Sequence, residues 1–342
     1  MRMKLNAMLN GLWYGPAWRS LPLWPLGGVF HVVVMLRRRL YQWGLLTRTR
    51  LSVPVIVVGN ITVGGTGKTP LVIGLVELLK RHGYRPGVML RGYGGKNAGY
   101  PRYVTAQSEP PEVGDEAVLL ARRCACPVVA GSDRVAAGRM LVDGGCNVIL
   151  SDDGLQHYRL MRDLEIIVID ALRGLGNRHC LPAGPLREPP RRLRDADLVV
   201  VNGGKPGDPY ALELVMGDAV PLRGGERAPL NLFRGRRVHA VAAIGHPKRF
   251  FNALRRREIQ VIEHAFPDHH LFSADELHFD DDLPIIMTEK DAVKCLEWAP
   301  DNSWYVPVTV QLGTAIPAKV LRRLETWHES QLRWPGLEAV ES

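Results

Sequence analysis

The sequence predicts an α/β protein: a doubly wound parallel sheet, a second, smaller α/β domain behind it, and a membrane-associated helical segment in front. Three observations carry that expectation. From residue 53 onward, short β-branched runs alternate with helical stretches, as a parallel sheet covered on both faces requires. A glycine-rich turn links the first run to a helix. The first 76 of the 342 residues contain no Asp or Glu, whereas the remainder holds 35 bases and 35 acids.

The front segment, residues 1–48, carries Arg2, Lys4, Arg19, Arg37, Arg38, Arg39 and Arg48 together with four of the eight tryptophans, Trp13, Trp18, Trp24 and Trp43. Bases attract an anionic lipid surface, and tryptophan settles at headgroup depth. The longest charge-free stretch, 20–36, is 17 residues long and includes Pro22, Pro25, Gly27 and Gly28. At ~1.5 Å per residue it reaches about 25 Å, short of a hydrocarbon core of roughly 30 Å. Both flanks are basic, so neither end translocates readily, and no small-residue cleavage site follows. The segment reads as a peripheral or monotopic anchor on an anionic membrane surface. A basic domain would suggest nucleic acid, but the whole excess of +9 lies before residue 77 in apolar surroundings, so no nucleic-acid partner is expected. The five cysteines, Cys124, Cys126, Cys146, Cys180 and Cys295, form no C-x-x-C pair and no zinc spacing, which suits buried reduced thiols.

Six β-branched runs, at 53–58, 87–90, 128–130, 148–150, 165–169 and 198–201, fit one doubly wound domain over residues 49–220. A Pro- and Gly-rich stretch at 203–229 marks its boundary. Further runs at 238–244, 260–263, 284–287 and 304–310 build the second domain, 221–342, which ends in a C-terminal helix. The tail after Trp334 is expected to be loosely ordered. The chain has no internal repeat, and a monomer is expected.

The glycine-rich turn is Val63-Gly64-Gly65-Thr66-Gly67-Lys68-Thr69, and a helix opens at Pro70. Such a turn is a phosphate cradle: its glycines let successive N–H groups face phosphate oxygens, and the helix N-terminus adds positive potential. Lys68 would reach the β- and γ-phosphates while the Thr69 hydroxyl ligates Mg2+. The strict pattern G-x-x-x-x-G-K-[ST] fails at Thr62, where its first glycine would fall. Strand, glycine turn and helix in that order still describe a P-loop, the nucleotide cradle of P-loop NTPases. Asp152 and Asp153 end the run at 148–150, and a carboxylate at the end of a neighbouring parallel strand lies close to such a loop, where it can hold the metal. Asp pairs at strand ends are commonly plain turn residues; the cradle upstream favours the metal role. Gln156 and His157 could line the same crevice. An anchor ahead of a P-loop core describes a nucleotide-dependent protein whose substrate or partner lies in the bilayer. The alternative is a membrane-recruited ATPase switch that phosphorylates no lipid. Deviant P-loop switches carry a lysine just ahead of the two glycines, a position held here by Val63.

Eight blocks, in order along the chain, resemble the tetraacyldisaccharide 4′-kinase family: Gly59-Asn60 through Thr69, Arg91-Gly92-Tyr93-Gly94, Gly114-Asp115-Glu116, Asp152-Asp153-Gly154-Leu155-Gln156-His157, Leu181-Pro182-Ala183-Gly184-Pro185-Leu186-Arg187-Glu188-Pro189, Ile244-Gly245-His246-Pro247, Phe266-Pro267-Asp268-His269 and Thr288-Glu289-Lys290-Asp291. The family accepts Thr at the position of Thr62, and Leu155 stands where some members have Phe. The resemblance implies transfer of the γ-phosphate of ATP to the 4′-hydroxyl of a tetraacylated glucosamine disaccharide 1-phosphate, a lipid A precursor of Gram-negative bacteria, at the cytoplasmic face of the inner membrane. It assigns Thr62, Val63, Gly64, Gly65, Thr66, Gly67, Lys68 and Thr69 to ATP, and Thr69, Asp152, Asp153 and Gln156 to the magnesium and γ-phosphate region. Asp115 and His269 would activate the hydroxyl, with Lys68 and Asp153 completing the catalytic set and Arg91 and Arg134 as electrostatic contacts. By itself, Asp115 reads as a helix N-cap and His269 as a polar-loop histidine. A metal cluster of His264, Asp268, His269, His270 and His278 matches no standard spacing.

Overall fold

The computed structural model describes residues 2–93, 95 and 100–333. Gly94 of the second block and the tail expected to be loosely ordered lie outside the described residues. The elements in chain order are α1 (Arg2–Trp13), α2 (Trp24–Gln42), β1 (Val55–Gly59), α3 (Lys68–Arg81), β2 (Pro86–Leu90), β3 (Arg102–Val104), α4 (Pro110–Val113), α5 (Asp115–Cys124), β4 (Val128–Ala130), α6 (Arg134–Asp143), β5 (Val148–Asp152), β6 (Leu164–Asp170), β7 (Leu198–Asn202) and β8 (Ala211–Met216). They continue with β9 (Val220–Pro221), β10 (Arg237–Ala242), α7 (Pro247–Arg255), β11 (Gln260–Ala265), β12 (Ile285–Thr288), α8 (Glu289–Ala292), β13 (Ser303–Val306), β14 (Val308–Leu312) and α9 (Ala315–Arg333).

Nine strands form the larger sheet in the order β14-β8-β7-β6-β1-β5-β2-β4-β3, parallel except at its two edges, where β14 and β3 run antiparallel to their neighbours. The central strand shows why both faces are covered. Every residue of β1 is buried; Ile56 and Val58 point into the layer built by α3 and α5, while Val55 and Val57 point into the layer built by α6. The chain runs from β1 out to β2, returns through β5 and then crosses to β6 on the other side. Strand order thus reverses beside β1, and such a reversal opens a crevice at the carboxyl ends of the strands. The smaller sheet, β11-β10-β12-β13-β9, is parallel apart from β9. Val238, Ala240 and Ala242 of β10 pack against Phe250, Phe251 and Leu254 of α7, and Val241 and Ala243 face the opposite cluster.

Two features of the C-terminal third differ from the sequence-based expectation. The run 304–310 is two strands in two different sheets: β13 joins the smaller sheet, and β14 pairs with β8 in the larger one. Pro307 separates them, because it has no N–H for a ladder and bends the chain out of the first sheet. The C-terminal helix, grouped above with residues 221–342, follows β14 back. Ile316, Val320 and Leu324, one stripe of α9, enter the core of the larger sheet beside α3. Strand β8 also lies inside the stretch read as a linker.

In the front segment, neither proline interrupts α2. Pro22 sits in a preceding 3₁₀ turn and Pro25 in the first turn of α2, where a missing N–H costs nothing. Residues Trp18–Gln42 form one stretch long and apolar enough to cross a membrane, by length and composition only. One side of it is docked on the body: Phe30 packs with Ile61, Leu155 and Leu186, Trp24 lies 4.6 Å from the His179 ring, and Arg38 pairs with Asp195 at 2.7 Å. The other side exposes Trp18, Leu21, Leu26, Val29, Val32, Val33 and Leu36, followed by Trp43 and Leu45. All five cysteines are free, four of them buried.

Candidate active site

The phosphate cradle is built almost entirely from local chain. Gly67 caps α3 with φ 92°, a left-handed conformation that disfavours any side chain, and a Cβ there would also run into Nδ2 of Asn202. That amide donates to Thr66 O at 2.9 Å, and its oxygen accepts from Arg249 Nη2 at 2.9 Å, so the end of β7 and the start of α7 brace the turn. Lys68 reaches back to Asn60 Oδ1 (3.2 Å) and toward Asp153 Oδ1 (3.5 Å). Asn60 in turn donates from Nδ2 to Gly64 O at 3.2 Å. The approach to the turn is laced to the proline-rich block: Val63 N donates to Pro185 O at 2.8 Å and Arg187 N to Ile61 O at 2.7 Å. This lacing brings Arg187 to Asp153, with Nη1 3.2 Å from Oδ2.

Asp152 and Asp153 occupy the crevice at the end of β5, as expected, but their environments differ. Asp152 is buried; burial, with Glu116 and Asp153 adding like charge, pushes its carboxyl up to about 7 against the opposing pull of Lys68. Its Oδ2 accepts the Thr69 hydroxyl at 2.9 Å, and its buried Oδ1 has no hydrogen-bond partner among the described residues. A half-satisfied buried carboxylate costs free energy unless a cation completes it. Two hard oxygens on facing elements, one of them vacant, therefore fit Mg2+. Burial would also raise Asp153, but Lys68 and Arg187 hold it below its ordinary value. Gln156, expected beside the metal, donates its amide to Asn60 O (3.2 Å) and Glu188 Oε1 (2.8 Å), supporting the strand end behind the cradle. His157 is held neutral, its pKa lowered to about 4 by burial and by Arg134 and Arg162. Arg134 is buried, donates to Gly131 O and feels the charges of Asp153 and Asp152.

Across the crevice, residues 154 apart in sequence meet: His269 Nδ1 lies 2.9 Å from Asp115 Oδ1 and 3.1 Å from Oδ2. Asp115 opens α5 and its Oδ1 also accepts from Glu116 N at 2.8 Å. Burial alone would raise its pKa, yet the His269 hydrogen bond and the ammonium groups of Lys290 and Lys294 bring it down to about 2. An ionised Asp115 accepts a hydrogen bond from the Nδ1–H of His269, which leaves Nε2 as the basic nitrogen. Burial would lower His269, but the Asp115 hydrogen bond holds its pKa above the ordinary imidazole value. The Tyr93 ring lies 5.1 Å away. The pair and the cradle share one crevice, with Gly245 between them: a Cβ there would stand 3.0 Å from Gly65 N and 3.5 Å from Asp268 Oδ2. The other histidines considered for a metal cluster diverge, His264 bonding to His239 and His270 to Glu276.

Sequence reasoning assigned no role to Asn60, Arg187, Asn202, Arg249 or Lys290. Asn60, a polar residue ending an apolar strand directly before a cradle, carried the only local signal. The others are distant in sequence from the groups they serve.

A family profile described as Tetraacyldisaccharide-1-P 4'-kinase matches residues 19–325. Among curated relatives, the Tetraacyldisaccharide 4'-kinase of Nitrosococcus oceani is 52% identical over 94% of this chain and 95% of its own length. That of Alkalilimnicola ehrlichii is 55% identical over 92% and 95%. A crystal structure of LpxK from Aquifex aeolicus in complex with ATP superposes with a TM-score of 0.74 at 28% identity, covering 89% of this chain and 99% of the other. Identity at this level across nearly the whole length leaves one conclusion: the chain belongs to the tetraacyldisaccharide 4′-kinase family.

Proposed function

We propose that the chain transfers the γ-phosphoryl group of ATP to the 4′-hydroxyl of a tetraacylated glucosamine disaccharide 1-phosphate, at the cytoplasmic face of the inner membrane, with Asp115 and His269 accepting the hydroxyl proton. The observation that carries this reading is a hydrogen-bonded Asp–His pair facing a P-loop across a single crevice. An ATPase switch needs only the cradle. Lys68 and the backbone of the turn hold the β- and γ-phosphates, and their preorganised charge stabilises the transferring group. Thr69 and Asp152 would hold Mg2+; when bound, it neutralises charge on the phosphate oxygens. His269 Nε2 takes the proton as the oxygen attacks, and Asp115 stabilises the imidazolium that forms. The exposed apolar side of Trp18–Gln42, with Arg39 and Arg48 exposed at its end, supports interfacial attachment and delivery of the acceptor from the bilayer. Incubation with γ-labelled ATP and a bacterial inner-membrane lipid extract tests the reading. Label in a lipid phosphate monoester is expected; label confined to free phosphate overturns it in favour of the switch.

A further inference from the structure

The block Thr288-Glu289-Lys290-Asp291 has no part in the chemistry described so far, yet it forms the tight turn that meets α5 from the second sheet. Thr288 caps it: its hydroxyl donates to Asp291 Oδ2 at 2.6 Å and accepts from Asp291 N at 3.2 Å. Asp291 Oδ2 also accepts from Ala243 N at 2.9 Å, which ties the turn to the end of β10. Glu289 then pairs with Arg123 in the last turn of α5 at 2.7 Å, and Lys290 pairs with Glu116 in its first turn at 3.0 Å. Two neighbouring residues thus grip both ends of the helix that presents Asp115.

Lys290 reaches further than Glu116. Its ammonium is 3.3 Å from Asp268 Oδ1 and 3.9 Å from Asp115 Oδ2, so three carboxylates, two of them beside His269, converge on one cation. Lys294 also faces Asp115 at 3.8 Å, but it is almost fully buried and committed to Asp291 Oδ1 (2.7 Å) and His270 O (3.0 Å), the interior of its own turn. The groups acting on the imidazole are therefore Asp115 from α5, Asp268 beside it, Tyr93 over its ring, and Lys290; Glu116 and Lys294 act through Lys290 and Asp115, which they pair with.

We propose that Lys290 is a positioning residue for the proton-accepting pair: its ammonium, held by Glu116 and Asp268 and 3.9 Å from Asp115 Oδ2, attracts the carboxylate that His269 Nδ1 bonds, and its charge opposes that of the imidazolium. This rests on the assignment of Asp115 and His269 as the proton acceptors. A buried carboxylate favours protonation, and a protonated Asp115 would no longer fix the His269 tautomer. The lysine, together with the His269 hydrogen bond and Lys294, works against that protonation. Among the groups acting on His269, Asp115 and Asp268 raise its basicity and Lys290 lowers it, so the lysine keeps more of the imidazole neutral and able to accept a proton near neutral pH.

The test is the pH profile of kcat/KM, whose acid limb reports the free enzyme's essential base. In Lys290→Met the limb is expected to move to higher pH by about half a unit or more, because removing a cation favours the protonated imidazole. The rate loss should then be greatest below neutrality and shrink as pH rises, with the KM for ATP near that of the parent; Lys290→Arg should restore the limb. A uniform loss at every pH, or a change confined to the KM for the lipid acceptor, overturns the proposal in favour of a structural or substrate-contact role. His269→Ala, measured alongside, separates the two layers. If that variant keeps the parent's rate and acid limb, the pair is not the base. If it loses them while Lys290→Met leaves the limb in place, the pair stands and the role of Lys290 falls. Should Lys290→Met not fold, as judged by circular dichroism, Lys290→Gln carries the same expectation.

Discussion

The donor side and the acceptor side of the crevice are built in opposite ways. On the donor side, Asn60, Lys68 and Thr69 lie within ten residues on one strand, one turn and one helix, and backbone groups do much of the work. On the acceptor side, Asp115, His269 and Lys290 come from a helix of the larger sheet, a loop and a turn of the smaller one, and every decisive contact is between side chains. A local cradle is rigid whenever its strand and helix are folded. A pair assembled from two sheets exists only while the sheets are docked, so its chemistry is tied to their relative position. Under the proposed mechanism, acceptor activation would depend on a closed crevice.

The contrast can be broken most sharply at Lys68. Lys68→Ala should lower kcat by about 10³-fold or more, because a fixed cation on the transferring oxygens is not replaced by water in a closed site; the variant should melt close to the parent, and near-normal activity would remove the donor assignment. Next come Asp115→Ala and His269→Ala, each expected to cost about 10²- to 10⁴-fold in kcat with ATP affinity nearly intact. The double variant should lose much less than the product of the singles, since the residues act as a unit. Multiplicative losses would mean that they position substrate separately. Gly245→Ala probes the docking between the two sides: its Cβ would press on Gly65 N and Asp268. A misplacement of this kind costs up to about 10²-fold, and steady-state kinetics should show kcat falling for lipid phosphorylation.

The smallest effect concerns delivery of the acceptor. Arg38 is engaged by Asp195, and Arg37 lies over the rings of Tyr41 and Tyr158, so these two help seat α2 on the body. Bases that remain open to lipid include Arg39 and Arg48, both exposed. Replacing both with Gln should weaken binding to vesicles rich in anionic lipid by roughly 1 kcal/mol per charge at low salt, a difference that fades as salt rises. Equal binding by parent and double variant in a flotation assay would show that these two charges contribute nothing to attachment.

The residues that lie close together in the chain were legible from the amino-acid order. The P-loop needs glycines at fixed offsets between a strand and a helix, and the run of β-branched residues before Gly64 announces that strand. The Asp pair at the end of β5 could be placed because parallel strands deliver their carboxyl ends to one edge. The front segment betrayed itself through one-sided charge and tryptophan content. Asp115 and His269 were named from resemblance to a family; neither residue type nor spacing joins them. What could not be read were the partnerships made at long range. Pro307 divides one β-rich run between two sheets and sends α9 home to the first, which no local propensity encodes. Gln156 turns its amide to Glu188, Arg187 reaches Asp153, and Lys290 gathers three carboxylates. Backbone conformation is chosen by neighbours a few residues away, whereas the pairing of charged side chains depends on which surfaces end up facing each other after the sheets have packed.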